Sequence, residues 1–212
     1  MNTYTQPNYK TSAVITIDAQ CCTLDGQALG ITGTSAAVPN MKRVLDVYRK
    51  RQMPVVHIVR IYKADSSNVE LCRKQTIEAG AKVFLQGTAG CELAPGLFDQ
   101  DNIKLDSELL LSGNVQDVSD YESIIYKPRW GAFFKTPLES HLKKLGVDTL
   151  VFVGCNFPNC PRASIIEASE RDFKIVLVAD AVSGVYPKGI EEMLGIGVVV
   201  VSADDVVDAV NG

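Results

Sequence analysis

The sequence predicts an α/β protein: a three-layer doubly wound fold with a six-stranded, mostly parallel sheet. Three observations carry this. Short β-branched apolar runs recur: AVITI at 13–17, VVHIVRI at 55–61, TLVFV at 149–153, KIVLV at 174–178 and VVVV at 198–201. Runs this short, without polar alternation, suit strands buried on both faces. Stretches with helical periodicity separate them, as a crossover topology requires. The length of 212 residues is enough for one domain with a full core, so residues 1–212 are read as a single domain.

Taken in order, the first strand ends at Asp18. Ligands of parallel sheets gather beyond the carboxyl ends of strands. Asp18 is therefore either a catalytic or binding carboxylate, or a turn residue bonding its own backbone. Gln20 shares that turn. Cys21 and Cys22 read as packing or loop residues, and 23–33 is Gly-rich and irregular. Thr34 or Ser35 caps a helix that runs to about Arg51, with Met41, Val44, Leu45 and Tyr48 on one face. His57 lies inside the second strand. With no ligand neighbour in sequence it reads as a buried, hydrogen-bonded histidine rather than a metal ligand. Arg60, at the end of that strand, serves either a substrate carboxylate or carbonyl, or a structural ion pair.

Residues 65–101 are the least regular, with a short helix expected at 70–79, and 103–111 suits a strand or a helix. A short strand at 124–126 leads into Lys127, whose backbone Pro128 drives extended. Trp130 either walls a pocket or joins the core; for Phe133 and Phe134 the core is the better reading. Thr136 caps the next helix, which Gly146 closes and which carries His141 as a surface or packing residue. Further on, a helix at 188–194 precedes the last strand, and Ser202 caps a final helix.

The stretch at 148–170, DTLVFVGCNFPNCPRASIIEASE, concentrates the chemistry. A buried strand runs into a turn at Gly154, and Pro161 suits the first turn of the following helix. Cys160 thus sits at or beside a helix N-cap. The unpaired N–H groups and positive dipole end there lower a thiol's pKa and can hold an oxyanion. Against that stands the ordinary role of a cysteine as small apolar filler. The residue alone does not choose between the two.

Composition narrows the class. Apolar residues make up 46% of the chain and the net charge is −4, which excludes a disordered chain and gives no sign of a nucleic-acid partner. The polar start MNTYTQPNYKTS is no signal peptide, and no apolar run reaches membrane-spanning length, so a soluble, cytoplasmic protein is expected. The cysteines at 21, 22, 72, 91, 155 and 160 form no CxxC pair and only two histidines exist, so reduced thiols and no metal or other cofactor are expected.

Asp18, Lys127 and Cys160 then stand near three strand ends with complementary chemistry. A carboxylate can take the thiol proton and later give it to a leaving amine, and an ammonium steadies both. Here VITIDAQ, YKPRWGAFFKTPLESHLKKLGVDTLVFVG and CNFPNCPRASIIEASERDFKIVLVADAVSG resemble the isochorismatase-like cysteine hydrolases. The likeness runs over about 12–207 and is strongest at 124–184. It implies a catalytic triad of Asp18, Lys127 and Cys160. It also implies hydrolysis of a C–N bond in a small amide, ureido or carbamoyl compound through a thioester. A non-proline cis peptide at Asn156–Phe157, an oxyanion hole from the Phe157 and Cys160 N–H groups, and a homodimer or homotetramer go with it. Gln20, Trp130, Asn156 and Phe157 are the substrate-binding candidates. Phe157 and Pro158 stand where the family usually has threonine and often aspartate. Two alternatives remain: a vinyl-ether hydrolase of the isochorismate type with the thiol a bystander, and a non-catalytic member that binds a metabolite or protein partner. A thiol redox protein is disfavoured by the missing CxxC.

Overall fold

A computed structural model describes residues 3–98 and 103–212. The described residues form seven strands: β1 (Ser12–Ile17), β2 (Val55–Val59), β3 (Gln116–Ser119), β4 (Glu122–Tyr126), β5 (Thr149–Gly154), β6 (Lys174–Val182) and β7 (Val199–Val201). They also form seven α-helices: α1 (Thr34–Lys50), α2 (Leu71–Glu78), α3 (Ser107–Leu111), α4 (Leu138–Lys144), α5 (Cys160–Ser169), α6 (Pro187–Gly195) and α7 (Ala203–Asn211). Residues 99–101 of the irregular stretch lie outside the described residues.

The sheet order is β3-β4-β2-β1-β5-β6-β7, and all pairs are parallel except β3 with β4. From β1 the chain winds outward through β2 and β4 on one side and through β5, β6 and β7 on the other. The switch point of this doubly wound sheet therefore falls between β1 and β5. One face packs Met41, Val44 and Leu45 of α1 and Val206 of α7 against Val14, Val151 and Val176. The other packs Leu138 and Leu142 of α4, Ile165 of α5 and Met193 of α6 against Ile15, Phe152 and Leu177. These are the three layers the apolar runs imply.

The strand the sequence reading missed is β3. Its residues QDVS carry one apolar side chain and alternate between half-buried and exposed, as an antiparallel edge strand does. Pairing with β4 makes it a strand, and that contact is not local. The stretch at 103–111 resolves as α3 alone, with the Asp106 side chain accepting from the Leu109 N–H. Helix α1 begins at Thr34, but neither Thr34 nor Ser35 caps it. Gly33 holds the N-cap at φ +87°, and the Asp25 carboxylate accepts the N–H groups of Gly33 and Ser35 from a loop. Ser202 does cap α7, in a reciprocal box with Asp205.

His57 is buried and bonded as expected: Nδ1 lies 2.9 Å from Thr16 Oγ1 and Nε2 lies 2.7 Å from Glu122 Oε1. Arg49 adds a second hold on Glu122, at 2.7 and 3.1 Å. Burial acts to raise the Glu122 carboxyl, but His57 and Arg49 take it down to about 2. A carboxyl depressed on folding stabilises the protein above its ordinary value of 4.5, and this is lost as pH falls toward about 2. Urea melts across that window should show a flatter pH dependence in Glu122→Gln than in wild type.

Gly154 fixes how closely β5 approaches β1. Its φ is +124°, and a Cβ there would lie 2.2 Å from the Ile17 carbonyl oxygen. Gly154→Ala should therefore cost about 3 kcal/mol or more, read as a lower denaturation midpoint with an unchanged m value.

Candidate active site

Four neighbouring strands, β4, β2, β1 and β5, end on this side of the sheet with Lys127, Arg60, Asp18 and the turn to Cys160. The ladder extends one residue past each of three of them: Asp18 N–H bonds Ile58 O at 2.9 Å, Lys127 N–H bonds Val59 O at 2.9 Å, and Cys155 N–H bonds Ile17 O at 2.9 Å. Asp18 has φ +47°, the left-handed region, where a non-glycine residue persists only if its surroundings hold it. They do: its carbonyl accepts from Gln20 N–H at 2.8 Å, Thr23 Oγ1 at 3.2 Å and Cys155 Sγ at 3.1 Å.

Lys127 Nζ donates to Asp18 Oδ2 at 2.9 Å and to Arg129 O at 3.3 Å. Asp18 Oδ1 is buried and has no hydrogen-bond partner among the described residues by distance and angle, yet the Cys160 thiol is near enough to act on the carboxylate. Cys160 is the first residue of α5, preceded by Asn159 and followed by Pro161. Ser164 Oγ donates to Cys160 O at 2.7 Å and accepts from Ala132 N–H at 3.1 Å, so the start of α5 is tied to the 129–134 loop. The three candidate catalytic side chains of the sequence reading are thus brought together, and they are closed off: Asp18, Lys127 and Cys160 are 3%, 0% and 4% exposed.

Burial alone would raise the Asp18 carboxyl, but Lys127 and Arg60, helped by the nearby Cys160 thiol, hold it below the usual carboxylate range. The thiol moves the other way. Burial pushes Cys160 up to about 11, Asp18 adds to the push, and Lys127 and Arg60 oppose it. The direction is opposite to the depression that a helix N-terminus favours. Desolvation of this deeply buried sulfur is the largest cause of the rise. The resting pair is therefore a thiol beside a carboxylate.

The turn before α5 departs from expectation in three ways. Its cis peptide is Cys155–Asn156, not Asn156–Phe157. The ladder to β1 ends with the Cys155 N–H, and the chain turns away at the very next bond. The Phe157 N–H donates to Ser183 O at 2.8 Å, so it is not free to receive an oxyanion. A register shift of β6 against β5, which pairs Gly154 with Val182, brings that carbonyl alongside. The Phe157 ring is fully buried against Tyr186 at 5.6 Å, and a Cβ on Gly189 would lie 2.4 Å from it, so this side chain is core rather than pocket. The Cys160 N–H keeps its place at the helix start, where no intrahelical acceptor exists.

Gln20 is likewise structural. Its amide nitrogen donates to Arg60 O at 2.9 Å and to Cys91 O at 2.5 Å, and its oxygen accepts from Arg60 N–H at 2.8 Å. Trp130 is half-buried between the guanidinium groups of Arg60, at 5.8 Å, and Arg73, at 5.2 Å. Asn156 is half-buried in the turn, accepting from Asn159 Nδ2 at 3.2 Å. The residue whose place the sequence left open is Arg60: it is buried, ion-paired to Glu70 at 2.8 Å, and 3.7 Å from Cys160 Sγ. Its signal was its position at a strand end.

A doubly wound, mostly parallel sheet that gathers a carboxylate, an ammonium and a thiol beyond its carboxyl edge defines a class of three-layer α/β proteins. Within that class the chain belongs to the isochorismatase family, whose Isochorismatase domain matches residues 12–205. A probable inactive nicotinamidase of Arabidopsis thaliana is 30% identical over 198 residues, 90% of this chain and 91% of that protein. N-carbamoylsarcosine amidase of Arthrobacter sp is 26% identical over 179 residues, 82% of this chain and 61% of the amidase. An isochorismatase family protein from Desulfovibrio vulgaris subsp. vulgaris str. Hildenborough superposes with a TM-score of 0.79 at 28% identity, over 95% of this chain and 99% of that one. Among the described residues no group of three or more His, Cys, Asp or Glu could hold a metal ion, and no helix is long and apolar enough to cross a membrane.

Because the thiol rests protonated, alkylation of Cys160 by iodoacetamide should accelerate roughly tenfold per pH unit from about pH 7 to about pH 10, with no plateau near neutrality. Lys127→Ala should slow it, since Lys127 opposes the rise in the thiol's pKa.

Proposed function

We propose that this protein is a cysteine-dependent hydrolase of a C–N bond in a small amide, ureido or carbamoyl compound. The observation that carries this reading is the division of Asp18: Oδ2 is held by Lys127, while Oδ1 is buried, unpartnered among the described residues and left for the Cys160 thiol. A carboxylate kept ionised beside a thiol kept protonated is a general base awaiting transfer.

In the first half-reaction the Sγ proton passes to Asp18 as sulfur bonds the carbonyl carbon and the C=O π pair moves to oxygen. The tetrahedral adduct collapses with cleavage of the C–N bond, and Asp18 returns the proton to the departing nitrogen. A thioester on Cys160 remains. Water then gives a proton to Asp18 and adds to the thioester carbon. The C–S bond breaks and the proton goes back to sulfur. Lys127 holds the carboxylate in place through both halves. Ammonia or an amine and a carboxylic or carbamic acid are the products. The name of the Arthrobacter relative, an N-carbamoylsarcosine amidase, supports this substrate class.

The closure of the site favours a second reading, a non-catalytic binding member, and a relative named a probable inactive nicotinamidase agrees with it. Release of ammonia or amine from a panel of small amides, ureas and carbamoyl compounds separates the two. Wild type should turn over at least one, and Cys160→Ala and Asp18→Asn should each lose at least about a thousandfold of that rate. Full activity in Cys160→Ala would point to a cysteine-independent hydrolase. No turnover of any compound by wild type would support the binding reading.

A further inference from the structure

Strand β2 lies between β4 and β1, so its end falls between Lys127 and Asp18. Arg60 is the residue there, and its side chain is fully buried. Nη1 donates to Glu70 Oε1 at 2.8 Å, and Nη2 donates to Arg129 O at 2.7 Å and reaches Cys160 Sγ at 3.7 Å. In a planar guanidinium the Nε–H shares an edge with Nη2. That Nε–H has no hydrogen-bond partner among the described residues. A buried, charged donor left unused is costly unless a ligand or a reacting group takes it. Glu70 offsets only part of the charge, because it is shared with Arg73 at 3.6 Å.

We propose that Arg60 is a fourth catalytic residue: its Nη2–Nε edge holds the negative charge that passes from the Cys160 sulfur to the carbonyl oxygen of the substrate. This rests on the reading of Cys160 as the nucleophile. Arg60 gives up no proton. The Sγ proton goes to Asp18, the C–S bond forms, the π pair moves onto oxygen, and Arg60 supplies a fixed positive charge and an N–H beside both atoms. The Phe157 N–H is not free for that oxygen, since it is bonded to Ser183 O. The Cys160 N–H and the Arg60 edge can then serve as donors for the oxygen. Glu70, which also provides the N-cap residue of α2, sets how much of the Arg60 charge reaches the sulfur. The charged groups acting on the thiol are Asp18, Lys127 and Arg60.

The test is the alkylation rate of Cys160 at a fixed, mildly alkaline pH, located by mass spectrometry, in Arg60→Gln, Arg60→Lys and Glu70→Gln. It needs no substrate, so its outcome is independent of whether a hydrolysed compound is found. Arg60→Gln should alkylate at least about tenfold more slowly than wild type, with Arg60→Lys in between. Glu70→Gln should alkylate faster, because it leaves the guanidinium uncompensated. Opposite signs from the two halves of one ion pair are what a merely structural bridge would not produce. As a second readout, the rate with anionic iodoacetate relative to neutral iodoacetamide should fall in Arg60→Gln and be retained in Arg60→Lys. A wild-type rate in Arg60→Gln, or a Glu70→Gln rate slowed as much as that of Arg60→Gln, overturns the proposal.

Discussion

The ion pair between Lys127 and Asp18 joins two strands that do not touch, because β2 stands between β4 and β1. Both partners are buried, so each charge depends on the other for its solvation. Removing one member of such a pair typically costs about 3–5 kcal/mol, since the survivor is left uncompensated. Its geometry also orders the rest of the site. With Oδ2 taken by Lys127 at 2.9 Å, the remaining carboxylate oxygen is left for the thiol. The left-handed backbone at Asp18, the bonds to its carbonyl, and the long reach of Lys127 over the end of β2 all serve to keep that one contact.

Two influences act on Cys160, and they oppose each other. The start of α5 favours a thiolate, while burial disfavours any charge there. Burial is the largest cause of the raised thiol, because the desolvation falls on a whole charge. Under the proposed mechanism the thiol becomes nucleophilic only as its proton moves to Asp18. Arg60 and Lys127 reduce the cost of that movement without abolishing it.

Much of this was legible in the sequence, and what was not has a common cause. Short β-branched runs placed the parallel strands, and the Cys160-Pro161 pair placed the start of α5, because these are local signals. Strand β3 was not visible, since one valine among polar residues becomes a strand only by pairing with β4. The fates of Gln20 and Phe157 were hidden for the same reason. Gln20 is consumed by the Arg60 backbone and by Cys91, and Phe157 by Ser183 and Tyr186, all far away in the chain. Arg60 could be named as a strand-end residue. That it lies between the lysine and the aspartate follows from strand order, which no single segment encodes.

The loop from 129 to 134 has a mechanical consequence. Its backbone amides at Ala132 and Phe133 are bonded to Ser164 and Glu167, and Gly131 sits where a Cβ would strike the Glu167 carboxylate at 2.2 Å. One helix therefore carries the Cys160 sulfur at its tip and is bonded to this loop along its flank. The opposite wall is attached differently. Residues from α2 and the segment before it meet the site through side chains: Glu70 with Arg60, Arg73 across Trp130, and Asn68 with Tyr126. Rotamer changes can release contacts of that kind while the backbone stays in place. A path to the sulfur that opens by rotamer changes alone would run along the α2 flank, past Arg60 and Arg73.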